Sequence, residues 1–75
     1  MASALPVLSG REVVRVFERF GWHIVRQSAS HIIIVKEGEM ATLSVPDHRE
    51  IAKGTLRSLI RTAGLTVQES AQLGR

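Results

Sequence analysis

Four consecutive β-branched residues, Ile32-Ile33-Ile34-Val35, sit between His31 and Lys36 in a chain of only 75 residues. Branching at Cβ favours the pleated conformation. The run has strand length and is bounded by two polar segments, Ser28-Ala29-Ser30 and Glu37-Gly38-Glu39. Because alternate side chains of a strand point to opposite faces, a run that is apolar at every position predicts a central strand with hydrophobic groups on both sides of its sheet. The rest of the chain must then supply flanking strands and enough helix to cover at least one face. The second face is open to two readings, cover by strand ends and tails or cover by a partner.

The flanking segments fit this demand. Trp22 to Gln27 and Met40 to Val45 are the neighbouring strand candidates, and the short connections between the three runs predict an antiparallel meander. Upstream, Ser9 and Glu12 have the spacing of a capping box, Val13, Phe17 and Phe20 recur at helical intervals, and Gly21 stops the helix. Pro46 closes the third strand because it cannot donate to a ladder. The polar stretch Asp47-His48-Arg49-Glu50 then leads into a second helix from about Ile51 to Ala63, apolar at Leu56, Leu59, Ile60 and Ala63 and ended by Gly64. Thr66 and Glu69 form another capping box and predict one or two further turns. The expected fold is α+β, in the order α-β-β-β-α, with a three-stranded antiparallel sheet and both helices on one face. That is the arrangement of a double-stranded-RNA-binding domain. One domain over residues 1–75 is expected, with its core at about 8–69 and frayed termini.

Size and composition exclude several kinds of chemistry. A chain of this length buries only about 60% of its unfolded surface, which leaves little room for a deep active-site cavity. It has no cysteine, and so neither a disulfide framework, a thiolate zinc site nor a cysteine nucleophile. The serines have no G-x-S-x-G setting, and Lys53-Gly54-Thr55 lacks the upstream glycine of a phosphate-binding loop. No apolar stretch is long enough to span a membrane, and Met1 to Leu8 has no signal-peptide pattern, so a cytoplasmic location is expected.

The candidates that remain are histidines and cations. His23, His31 and His48 are scattered over different elements without acidic neighbours in a metal-ligand spacing, so no metal is expected. His23 reads as an ordinary strand residue. His31 opens the most hydrophobic strand at a loop edge, where a rigid element would present its ring to a substrate. His48 precedes the second helix, where a phosphate held at the helix start would meet it. The net charge is +3 and is contained within residues 49–61, where Arg49, Lys53, Arg57 and Arg61 face only Glu50. Such a cluster suits an anionic partner. Arg11, Arg15 and Arg19, four residues apart on the first helix, are expected to be a solvated face, with a phosphate-facing stripe as the alternative.

Gly21-Trp22 with Arg26-Gln27, Ser30-His31 opening a strand, Val45-Pro46-Asp47-His48, Lys53-Gly54-Thr55-Leu56-Arg57 and Ala63-Gly64-Leu65-Thr66 together resemble the HicA (YcfA-like) mRNA interferase toxins, from about Leu8 to Glu69. The resemblance implies a double-stranded-RNA-binding-like fold, a toxin of a type II toxin-antitoxin system that cleaves mRNA without metal or other cofactor, and a HicB-type antitoxin as partner. The family's Gly-Ser-His motif maps onto Ser30-His31, with Ala29 in place of the glycine and Ile34 where a bulkier residue often follows. It makes His31 the catalytic residue. His48 is the candidate for a second catalytic group, and Arg26, Arg49, Lys53, Arg57 and Arg61 are the candidates for binding RNA. The alternatives are a non-catalytic RNA-binding module, or a degenerate toxin that keeps only antitoxin binding.

Overall fold

The computed structural model describes residues 7–74. The elements follow the order α1 (Gly10–Glu18), β1 (Trp22–Gln27), β2 (His31–Lys36), β3 (Leu43–Pro46), α2 (Lys53–Ala63), α3 (Val67–Ala71) and a final 3-10 turn, Gln72–Gly74. The expected frayed ends, outside about 8–69, lie beyond the described residues at 1–6 and 75, but residues 70–74 belong to α3 and the final turn, where Leu73 is buried in the core. The three strands form an antiparallel sheet in the order β1-β2-β3, with the β-branched run at its centre.

Helix α1 begins where the capping box places it. The Ser9 side chain accepts from the Glu12 amide at 3.1 Å, and the Glu12 carboxylate accepts from the Ser9 amide at 2.8 Å. These bonds, that from the Ser9 backbone first and that with its side chain second, hold the Glu12 carboxyl below the usual glutamate range. The cap is therefore complete above the ordinary glutamate pKa and weakens only as pH falls through the depressed value. The helix is shorter than the apolar spacing suggests. It ends at Glu18, and a turn through Phe20 to Gly21, with φ of +98°, redirects the chain into β1.

Two boundaries differ from expectation. Strand β3 starts at Leu43 rather than Met40, because residues 37–42 are spent on the connection and Met40 is fully exposed. It also includes Pro46, which an edge strand tolerates because one row of its amides has no ladder partner. Helix α2 starts at Lys53 rather than Ile51. Ile51 instead buries its side chain in the core and donates its amide to the Leu8 carbonyl at 2.7 Å.

One face of the sheet carries the core. Trp22, Ile32, Ile34, Leu43 and Val45 meet Val13, Val14 and Phe17 of α1 and Leu56, Leu59 and Ala63 of α2. Leu73, brought back against α1 by the C-terminal turn, closes this layer. Both helices thus lie on the same side. Trp22 is buried against Phe17 with ring centroids 6.4 Å apart, and its Nε1 has no hydrogen-bond partner.

The start of α1 is wedged against the end of β3. The Gly10 amide donates to the His48 carbonyl at 2.9 Å, and a Cβ built on Gly10 would overlap the Pro46 carbonyl. Replacing glycine by alanine in a helix interior normally stabilises by about 1 kcal/mol. Here, forced backbone movement of the kind that costs about 1–3 kcal/mol opposes that gain. Gly10→Ala is therefore expected to lower the urea midpoint at an unchanged slope. A raised midpoint would show that the contact yields without cost.

Candidate functional site

The alternation of β2 sets the site. Ile32 and Ile34 are buried beneath the helices, so His31, Ile33 and Val35 project from the opposite, open face. His31 is exposed, Ile33 and Val35 are half-buried, and Ser44 stands opposite Ile33. Strand ends and tails therefore do not cover this face among the described residues.

Arg26 reaches the same face through an irregularity in β1. His23 pairs with Val35 and Ile24 with Ile34, but Arg26, not Val25, pairs with Ile33. The extra residue is a β-bulge, with two residues of one strand opposing one of its neighbour. Strict alternation would have put Arg26 on the helix side with Ile24; the bulge returns it to the open face. His31 lies two positions from Ile33 on β2, so Arg26 and His31 are diagonal neighbours, at a separation of about 7–8 Å.

The β1–β2 turn fixes the imidazole. Ser28 closes the turn, its amide donating to the His31 carbonyl at 2.9 Å and its hydroxyl oxygen accepting from the His31 amide at 3.1 Å. The Ser30 hydroxyl lies 3.1 Å from His31 Nδ1. Whichever of the two donates, Nδ1 is occupied and Nε2 is the ring nitrogen left for a further partner. Among the described residues, all positive φ angles belong to Gly21, Gly38 and Gly64, so Ala29 meets this turn without the left-handed conformation that would call for glycine.

The third strand anchors the turn from the other side. His31 pairs with Pro46, and the Asp47 amide donates to the Ser30 carbonyl at 2.8 Å. The Asp47 carboxylate in turn accepts from Arg11 at 3.3 and 3.4 Å. With the arginine side chain 68% exposed, the value of this pair is orientation more than stability. His48, exposed, follows immediately, so the ladder carries both histidines to one end of the sheet. Sequence reasoning did not assign Asp47, Arg11 or the hydroxyls of Ser28 and Ser30 to this end. Only the flanking of His31 by serines hinted at a side-chain-closed turn.

The basic cluster is divided. Arg49 and Lys53 are exposed at the end where β3 passes into α2. Arg57 and Arg61 are exposed too, but they run along α2 in the helical layer, about 6 and 12 Å beyond Lys53 by helical rise. They do not share the open face with His31 and Arg26. Among the described residues, no three His, Asp or Glu side chains converge, and no helix is long and apolar enough to cross a membrane.

The element order, the one-sided helical layer and the exposed cations define a double-stranded-RNA-binding-like α+β domain. Residues 10–65, about three-quarters of the chain, match the family model described as the HicA toxin of bacterial toxin-antitoxin systems. The chain belongs to the HicA toxin family. It is also similar to a solved chain of a toxin-antitoxin complex from Streptococcus pneumoniae, at 32% identity and a TM-score of 0.68, over 77% of this chain and 98% of that one. No functionally curated protein matches the sequence.

Ser28→Ala tests the turn. It removes the hydroxyl acceptor of the His31 amide and should cost about 1 kcal/mol. Amide exchange should accelerate at His31 while the core strands keep their protection. Unchanged exchange at His31 would show that the turn holds its shape without the hydroxyl.

Proposed function

We propose that this protein is a toxin of a type II toxin-antitoxin pair that cleaves mRNA without a metal ion, with His31 as the catalytic residue. The observation that carries the reading is the exposed His31 ring held through Nδ1 on a rigid strand, with Arg26 beside it on the open face. RNA brings its own nucleophile. A base takes the proton of the 2′-hydroxyl, the 2′-oxygen attacks phosphorus, and the bond to the 5′-oxygen breaks as that oxygen receives a proton. The products are a 2′,3′-cyclic phosphate and a 5′-hydroxyl.

In this scheme, His31 Nδ1–H donates to the Ser30 hydroxyl, which leaves Nε2 unprotonated as the proton acceptor. Arg26 offers a planar donor fork to the phosphoryl oxygens as charge develops on them. One imidazole cannot both take the first proton and give the second within a single transition state, and His48 is assigned the second role. Arg49 and Lys53 hold the phosphates next to the site, while Arg57 and Arg61 extend the track along α2. Such contacts place the strand without reading its sequence.

Membership of the HicA family, and the likeness to a chain solved within a toxin-antitoxin complex, support an antitoxin partner. A HicB-type protein is the expected one. Its binding is expected to suppress cleavage.

His31→Ala should abolish cleavage of labelled single-stranded RNA while the circular dichroism spectrum stays that of the wild type, since the side chain is exposed and outside the core. Wild-type activity should survive EDTA. Full cleavage by the variant, or complete loss in chelator, would refute the mechanism, and RNA bound but never cut by the wild type would make the protein a binding module.

Lys53→Ala combined with Arg57→Ala should reduce the slope of log affinity against log salt by about 1.4, as measured on RNA bound to the His31→Ala protein. An unchanged slope would return α2 to a solvated face.

A further inference from the structure

The open face, the basic loop and α2 are all used by the proposed cleavage, but a cleft lined by α1 and β1 is not. It lies on the helix side of the sheet, between α1 and β1, and measures about 190 Å³. This is well below the roughly 300–1,000 Å³ of pockets for drug-sized ligands. Its floor is apolar, formed by Val14, Ile24 and Ile32, and its rim carries the Gln27 amide and the guanidinium groups of Arg11 and Arg15. Ile24 is 42% exposed although it faces the helices, because β1 is an edge strand that α1 leaves partly uncovered at this point.

The cleft is joined to the histidine site. Gln27 and Ile32 form the last ladder pair before the turn that holds Ser30 and His31. Arg11, on the other wall, is bound to Asp47, whose amide grips the same turn at Ser30. A strand of RNA bent around this end of the sheet would meet His31 on one side and the cleft on the other.

We infer that this cleft is a subsite for one ribonucleotide flanking the bond that is cut, an inference that rests on the RNA-cleavage reading above. Single-stranded RNA is recognised through bases turned out of the stack, laid on aromatic rings or arginine planes and hydrogen-bonded along their edges. Phe17 and Trp22 are buried and Phe20 is packed against the core, so no aromatic ring serves as the platform. The apolar slot between Ile24 and Ile32 takes that place. Gln27 both donates and accepts, as a base edge requires, and Arg11 and Arg15, one helical turn apart, hold the phosphate. Glu18, at the end of the cleft away from Arg11, only accepts. It can accept from the exocyclic amine of adenine, cytosine or guanine, or from the N3–H of uracil.

The test is a titration of the full-length protein with AMP, CMP, GMP and UMP, and separately with inorganic phosphate and an acidic peptide, followed by amide and methyl chemical shifts. The four nucleotides should move the signals of Ile24, Gln27 and Ile32. Phosphate alone should move only those near Arg11 and Arg15, and Gln27→Ala should weaken nucleotide binding several-fold without changing the spectrum elsewhere. Identical maps for nucleotides and phosphate, or shifts at Ile24 and Ile32 with the peptide but not with nucleotides, would overturn the inference. In cleavage, Gln27→Ala should alter the base distribution beside the cut; an unaltered distribution would overturn it as well. The titration needs no turnover, so a protein that binds nucleotides here and cuts no RNA would refute the cleavage mechanism while leaving the subsite standing.

Discussion

The structure depends most on a backbone junction at one end of the sheet, where three segments distant in sequence are tied together by amide-to-carbonyl bonds. Gly10 donates to His48, Ile51 to Leu8 and Asp47 to Ser30, all within 2.7–2.9 Å. The absence of a side chain at Gly10 lets α1 come against Pro46 closely enough for the first of these bonds to form. This junction fixes the relative positions of the starts of both helices and of the turn before β2. His31, His48 and Arg49 lie at or beside it, so the candidate site is a consequence of how the backbone is satisfied at this end.

The elements themselves were largely legible in the sequence, and for identifiable reasons. β1 and β2 have the limits that their β-branched runs and polar turns imply, and both capping boxes form as their Ser-x-x-Glu and Thr-x-x-Glu spacings require. The failures occur where tertiary contacts decide. Nothing local distinguishes Met40 and Thr42 from strand residues; they are left out because the β2–β3 ladder ends at Ile34 opposite Leu43, although β2 itself continues to Lys36 in its pairing with β1. Ile51 reads as the first apolar residue of a helix, but the core takes its side chain and Leu8 takes its amide, which delays α2 to Lys53.

The candidate site was legible in its residues and illegible in its geometry. Position alone placed His31 at a strand opening beside a turn, and the structure puts it there. The side of the sheet on which Arg26 lies could not be read, because it depends on one unpaired residue in β1, and a single-residue shift exchanges every side chain between faces. The same limit applies to charge. The sequence localises +3 to residues 49–61 but not its division between a loop beside the histidine and a helix leading away from it.

The bulge at Val25 has a second effect that links the two sides of the sheet. By adding one residue before Arg26, it turns Arg26 to the open face and, in the same step, turns Gln27 to the helix side opposite Ile32. Without it, Gln27 would stand beside His31 and Arg26 would enter the cleft against α1, bringing a third guanidinium beside Arg11 and Arg15. Like charges at such spacing repel, and the open face would lose its cation. One irregularity in an edge strand therefore puts Arg26 and Gln27 on opposite surfaces, so that under the proposed cleavage charge neutralisation and base reading each have a face of their own. In a domain too small for an enclosed active site, the two faces of a single strand end can divide the work that a larger enzyme gives to the walls of a pocket.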